Sequence, residues 1–93
     1  MNKLYPTIYN NIEEFGFSAY ELKDNCYYPT IYNDKIHSYS LPAYEIQKSY
    51  IYPTIYNTVD SYGLPMFEIR NKSVYPTIYN ERYDFGLSAF DIQ

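Results

Sequence analysis

The sequence predicts an all-β repeat protein of four 23–24-residue units, each giving two short strands, stacked as a solenoid or closed into a ring. Three observations carry this. The hexapeptide Tyr5-Pro6-Thr7-Ile8-Tyr9-Asn10 returns letter for letter at Tyr28–Asn33, Tyr52–Asn57 and Tyr75–Asn80. A second block follows each copy, for example Phe15-Gly16-Phe17-Ser18-Ala19-Tyr20-Glu21-Leu22 and Tyr39-Ser40-Leu41-Pro42-Ala43-Tyr44-Glu45-Ile46. Third, tyrosine alone supplies 15 of the 93 residues, and with Ile, Thr, Val and Phe it gives a composition suited to strands.

The 93 residues form one repeat domain, with units 5–27, 28–51, 52–74 and 75–93 and residues 1–4 completing the last linker. The first expected strand, Tyr5–Asn10, places Tyr5, Thr7 and Tyr9 on one face and Pro6, Ile8 and Asn10 on the other. Proline pushes the residue before it to extended geometry, which suits Tyr5 and its three copies. A variable polar segment follows. It holds one extra residue in unit two, within Asp34–Ser38, so a surface loop is expected there. The second strand, as in Leu64–Ile69, alternates Pro65, Phe67 and Ile69 with Leu64, Met66 and Glu68. Five linker residues, such as Lys23-Asp24-Asn25-Cys26-Tyr27, lead to the next unit.

A helix-turn-helix alternative rests on Ile8, Ile12 and Phe15 at i, i+4, i+7, with Gly16 as a C-terminal stop and Ser18/Glu21 as a capping box. Lys35 and Arg82 interrupt that face in units two and four, and helices of two turns are marginal. The chain holds a whole number of units with no atypical polar cap, so the units are expected to close on one another or to stack head to tail.

A net charge of −4 without a basic patch excludes nucleic acid and an anionic membrane surface as expected partners. No apolar run is long enough to span a bilayer as a helix, and Met1–Leu4 leads straight into the first repeat, so a cytoplasmic location is the default expectation. Cys26 has no partner for an internal disulfide, and His37, in the variable segment of unit two, has no companion ligands for zinc. No catalytic constellation, small-molecule substrate or cofactor is expected.

Between units, the segments after the hexapeptide have drifted while the hexapeptide has not. Stacked rungs reward such identity, setting Tyr on Tyr and Asn on Asn. Tyr5, Tyr9, Tyr28, Tyr32, Tyr52, Tyr56, Tyr75 and Tyr79 are therefore the expected interaction residues. The expected function is non-enzymatic: structural or scaffolding, through self-association or a tyrosine-rich surface for another protein.

Two resemblances add to this. Ile12-x-x-Phe15-Gly16-x-x-Ala19-Tyr20 and Val59-x-x-Tyr62-Gly63-x-x-Met66-Phe67 resemble part of bacterial surface leucine-rich repeats, which implies a curved solenoid with one parallel strand per unit. Pro6-Thr7-Ile8-Tyr9-Asn10-Asn11-Ile12-Glu13-Glu14 resembles the EPIYA-type tyrosine motifs of bacterial effectors. That implies a docking protein phosphorylated at Tyr9 and Tyr56 and captured by an SH2-type arginine pocket.

Overall fold

In the computed structural model, which describes residues 3–33 and 40–93, eight short strands run in chain order around a closed barrel. They are β1 (Lys3–Pro6), β2 (Tyr20–Lys23), β3 (Cys26–Pro29), β4 (Tyr44–Gln47), β5 (Tyr50–Pro53), β6 (Phe67–Arg70), β7 (Ser73–Pro76) and β8 (Phe90–Ile92). Every neighbouring pair is antiparallel, including β8 with β1, where Leu4, Tyr5 and Pro6 face Ile92, Asp91 and Phe90. Two equal principal extents, 27 × 27 × 22 Å, fit a short barrel of four similar quarters.

Side-chain alternation sorts these strands into a core and a wall. Leu4, Tyr27, Ile51 and Val74 point inward from the odd strands, and Tyr20, Tyr44, Phe67 and Phe90 from the even ones. The latter four close an edge-to-face square. Ring centroids lie 5.5 Å (Tyr20–Tyr44), 5.6 Å (Tyr44–Phe67), 5.7 Å (Phe67–Phe90) and 5.7 Å (Tyr20–Phe90) apart. Each contact of this kind adds about 0.5–1.5 kcal/mol beyond the area it buries. Leu22, Ile46, Ile69 and Ile92 pack against the core as partly buried residues.

The expected strand limits need correction. The first strand of each unit ends at proline, not at asparagine, because Thr and Asn of the hexapeptide turn the chain with their side chains. The second starts at the aromatic residue, so Leu64–Met66 lie outside β6. The expected linkers are strand and hairpin instead. Asp24 and Asn25 (φ 52° and 64°) make a two-residue turn, with both residues left-handed as a type I′ turn requires. Proline causes no loss: Pro29 faces Tyr20 of β2, but the ladder to β4 has already ended at Tyr27↔Tyr44.

The helical alternative fails, since the described residues hold only a 3-10 turn at Ile31–Asn33. Its apolar face, Ile8, Ile12 and Phe15, lies exposed on a loop. The parallel-stranded solenoid fails too, because all pairings are antiparallel. The variable segment Asp34–Ser38, with Lys35 and His37, lies outside the described residues. Among the described residues no helix is long and apolar enough to cross a membrane.

Candidate functional site

Each hexapeptide builds a corner between a strand and the long loop at one end of the barrel. The threonine acts twice. Its amide donates to the carbonyl of the preceding unit's Ala19, Ala43, Met66 or Ala89, at 3.0 Å in all four units. Its hydroxyl donates to the carbonyl one residue earlier and accepts the amide of the corner tyrosine. The asparagine donates from Nδ2 to the same Ala or Met carbonyl at 3.0–3.2 Å. In units one and three its Oδ1 accepts two amides of the following loop, and in unit four it accepts that of Arg82. These are side-chain turns that satisfy backbone groups the sheet leaves open. Among the described residues no hydrogen bond joins one hexapeptide to another, and in place of the expected Asn-on-Asn ladder each bonds to the second block of the preceding unit.

That accounts for Pro, Thr and Asn. It leaves Ile8, Ile31, Ile55 and Ile78, which stand 73%, 62%, 72% and 73% exposed. Beside them Tyr9, Tyr32, Tyr56 and Tyr79 are about half exposed, Tyr32 resting on Phe17 at 4.8 Å between ring centres. Phe15, Tyr62 and Phe85 are also exposed. The other four expected residues, Tyr5, Tyr28, Tyr52 and Tyr75, occupy the outer wall, half buried, opposite Asp91, Glu21, Glu45 and Glu68 respectively. Corner and wall meet in shallow clefts. One of them, of ≈ 490 Å³, is lined by Tyr28, Thr30, Ile31 and Tyr32 with Glu21 and Lys23.

Sequence reasoning missed the isoleucines, because a strand through Asn10 put Ile8 on a face with buried Pro6. The available signal was the Thr-x-x-Asn spacing, which favours a side-chain-built turn over a strand.

The mouth of the barrel carries a buried polar network from the long loops. Tyr83 rests on Phe67 and Phe90, and its hydroxyl donates to the Glu13 carboxylate at 2.6 and 2.8 Å. Arg82 donates from Nε and Nη2 to Asp60 at 2.9–3.2 Å and from Nη2 to the Tyr44 hydroxyl at 3.0 Å, and that hydroxyl donates to Asp60. Burial pushes the Glu13 carboxyl up, against the hydrogen bond from Tyr83 and the neighbouring Asn10 and Arg82. Burial, reinforced by the Glu13 charge, raises the Tyr83 and Tyr20 phenols; burial with Tyr20 and Asp60 raises that of Tyr44. Arg82 and Asp60 form an ion pair at 2.9 Å, whereas the Glu13 carboxylate takes its hydrogen bonds from the neutral Tyr83 phenol.

No protein-family profile, curated protein or solved structure matches this chain.

Proposed function

We propose that the protein is a non-enzymatic scaffold that self-associates through its four Ile-Tyr corners. The observation that carries this is a contrast within the chain. Asn11, Thr58 and Glu81, directly after the hexapeptide, are exposed and all differ. The four isoleucines, 62–73% exposed, are identical, although no core packing demands it. Exposed apolar residues held constant among drifting neighbours point to a contact made outside the chain. Closure of the sheet removes the edge strands by which a β-protein would otherwise add copies. The corners remain as exposed apolar faces, beside the loop aromatics Phe15, Tyr62 and Phe85. With four per molecule, corner-to-corner contact produces branching assembly, not a single filament.

Sedimentation velocity over a wide concentration range tests this. The expected result is mass growing with concentration in the native protein, and a monomer in the Ile8→Ser, Ile31→Ser, Ile55→Ser, Ile78→Ser variant with an unchanged circular dichroism spectrum. A native protein that stays monomeric throughout removes self-association.

A second reading, a docking protein phosphorylated on tyrosine, has one favouring observation. Tyr9 and Tyr56 are about half exposed, and Ile12 and Val59, three residues on, are exposed with them. Incubation with a Src-type kinase and mass spectrometry decides it: phosphate on neither Tyr9 nor Tyr56 ends the reading.

A further inference from the structure

The barrel wall repeats one cross-strand pair four times, an acid opposite a tyrosine: Glu21↔Tyr28, Glu45↔Tyr52, Glu68↔Tyr75 and Asp91↔Tyr5. In two of the four the chain supplies its own cation, from the residue two places after the acid. Lys23 Nζ lies 4.0 Å from the Glu21 carboxylate and 5.7 Å from the centre of the Tyr28 ring. Arg70 does this more closely. Its Nε donates to Glu68 at 3.3 Å while its guanidinium carbon sits 4.4 Å from the centre of the Tyr75 ring. A planar guanidinium stacks on a ring while its edge meets a carboxylate, a combination an ammonium group reproduces less well.

In unit two that residue is Gln47. Glu45 makes no ion pair among the described residues, and beside it lies a cleft of ≈ 190 Å³ lined by Glu45, Gln47, Tyr52, Pro53, Tyr62 and Gly63. Glu45, Gln47, Pro53 and Tyr62 are the repeat counterparts of Glu68, Arg70, Pro76 and Phe85, which line the cleft of unit three. The carboxylate and the tyrosine are kept, and the cation is gone. Tyr62, 70% exposed, adds a second ring to the cleft. In unit four Gln93 also replaces the cation, but the acid there is the shorter Asp91.

We infer that the Glu45–Tyr52–Tyr62 cleft binds the guanidinium group of an arginine side chain presented by a partner polypeptide. The site is acidic on a chain of net charge −4, and Arg70 in unit three shows the pose. A second copy is not the donor, since the two arginines of the chain, Arg70 and Arg82, are engaged with Glu68 and Asp60. This site goes beyond the self-association reading and involves none of the four corner isoleucines.

The probe is N-acetyl-arginine methylamide, titrated against the protein by two-dimensional NMR. Saturable shifts are expected at the amides of Glu45, Gln47, Tyr52 and Gly63, with a dissociation constant on the order of millimolar, as suits one exposed ion pair with stacking. Gln47→Arg, which places in unit two the cation that unit three already has, is expected to abolish these shifts while keeping the fold. Glu45→Gln is expected to weaken them at least about threefold. Non-saturating shifts, or a Gln47→Arg variant that titrates like the native protein, overturn the inference. Equal or tighter binding of N-acetyl-lysine methylamide overturns the assignment to guanidinium.

Discussion

Ser40 stands where the other three units carry glycine. Its φ is 86°, against 97°, 96° and 93° at Gly16, Gly63 and Gly86, and a side chain in that region is strained. A Cβ at the three glycines would meet nothing within 4 Å, so the demand at this position is conformational and not steric. Ser40→Gly is accordingly expected to stabilise the protein by about 1 kcal/mol, seen as a melting temperature about 4–8 °C higher. An unchanged or lower melting temperature would mean that Ser40 is not strained. The same scale explains the hexapeptide. Thr7 and Asn10 hold the corner through their side chains, and Ile8 and Tyr9 take no part in that task. The sequence displayed six identical letters without separating Pro, Thr and Asn, which build the corner, from the Ile-Tyr pair that faces outward. That division depends on where the turn falls, and only the hydrogen-bonded geometry shows it.

At the scale of elements, strands were legible as a class and illegible in their limits. Tyr-Pro and the aromatic-acid-Ile run mark where strands are. The turns between Asp24 and Asn25, Lys48 and Ser49, and Asn71 and Lys72 mark the hairpins. The long loops were legible only as variable, because the aromatic residues in them mimic both strand and helix patterns. Their buried network was not legible. Glu13, Asp60 and Tyr83 occupy the third position after asparagine, where unit-to-unit variation reads as a solvated surface, yet Glu13 and Tyr83 are buried and Asp60 largely so. Glu13 gives this network a pH dependence. Its folded pKa is raised, so its contribution to stability is fully present below the unfolded value of 4.5 and is lost as pH rises through the folded value. Glu13→Gln keeps an acceptor for the Tyr83 hydroxyl and removes the charge. The variant is expected to gain melting temperature relative to the native protein on going from pH 4.5 to pH 7. A difference between the two proteins that does not change with pH would contradict a protonation cost at this site.

For the whole molecule, the aromatic interior makes alkali the natural denaturant. Burial pushes the Tyr27 phenol up to about 12 and raises those of Tyr20, Tyr44 and Tyr83 further. Each contributes stability that is complete below its ordinary value of 10 and is lost above it, at about 1.4 kcal/mol per pH unit per group. The loss from four such groups is of the order of a small domain's whole stability within about two pH units. The expected outcome is one cooperative alkaline transition, in which a step of phenolate absorbance coincides with loss of the near-ultraviolet circular dichroism. Gradual ionisation of these tyrosines with the barrel intact would contradict their burial.

Closure of the sheet removes its edges, and the contact role proposed for the corners depends on it. Four unit-sized repeats with β-forming composition made a ring one of two expectations in the sequence. The antiparallel course was not decided, and neither was whether the seam between the last unit and residues 1–4 closes, because no residue type distinguishes a seam that closes from one that stays open. The four threonine amides do distinguish them. Those of Thr30, Thr54 and Thr77 bond to Ala19, Ala43 and Met66 next to strands already joined by hairpins, whereas that of Thr7 bonds to Ala89 across the β8–β1 seam. Amide hydrogen exchange at these four positions, followed by NMR, tests the closure directly. A closed barrel predicts protection of Thr7 within about tenfold of the other three. Exchange of Thr7 at the rate of an unstructured peptide, with Thr30, Thr54 and Thr77 still protected, would show an open sheet and contradict it.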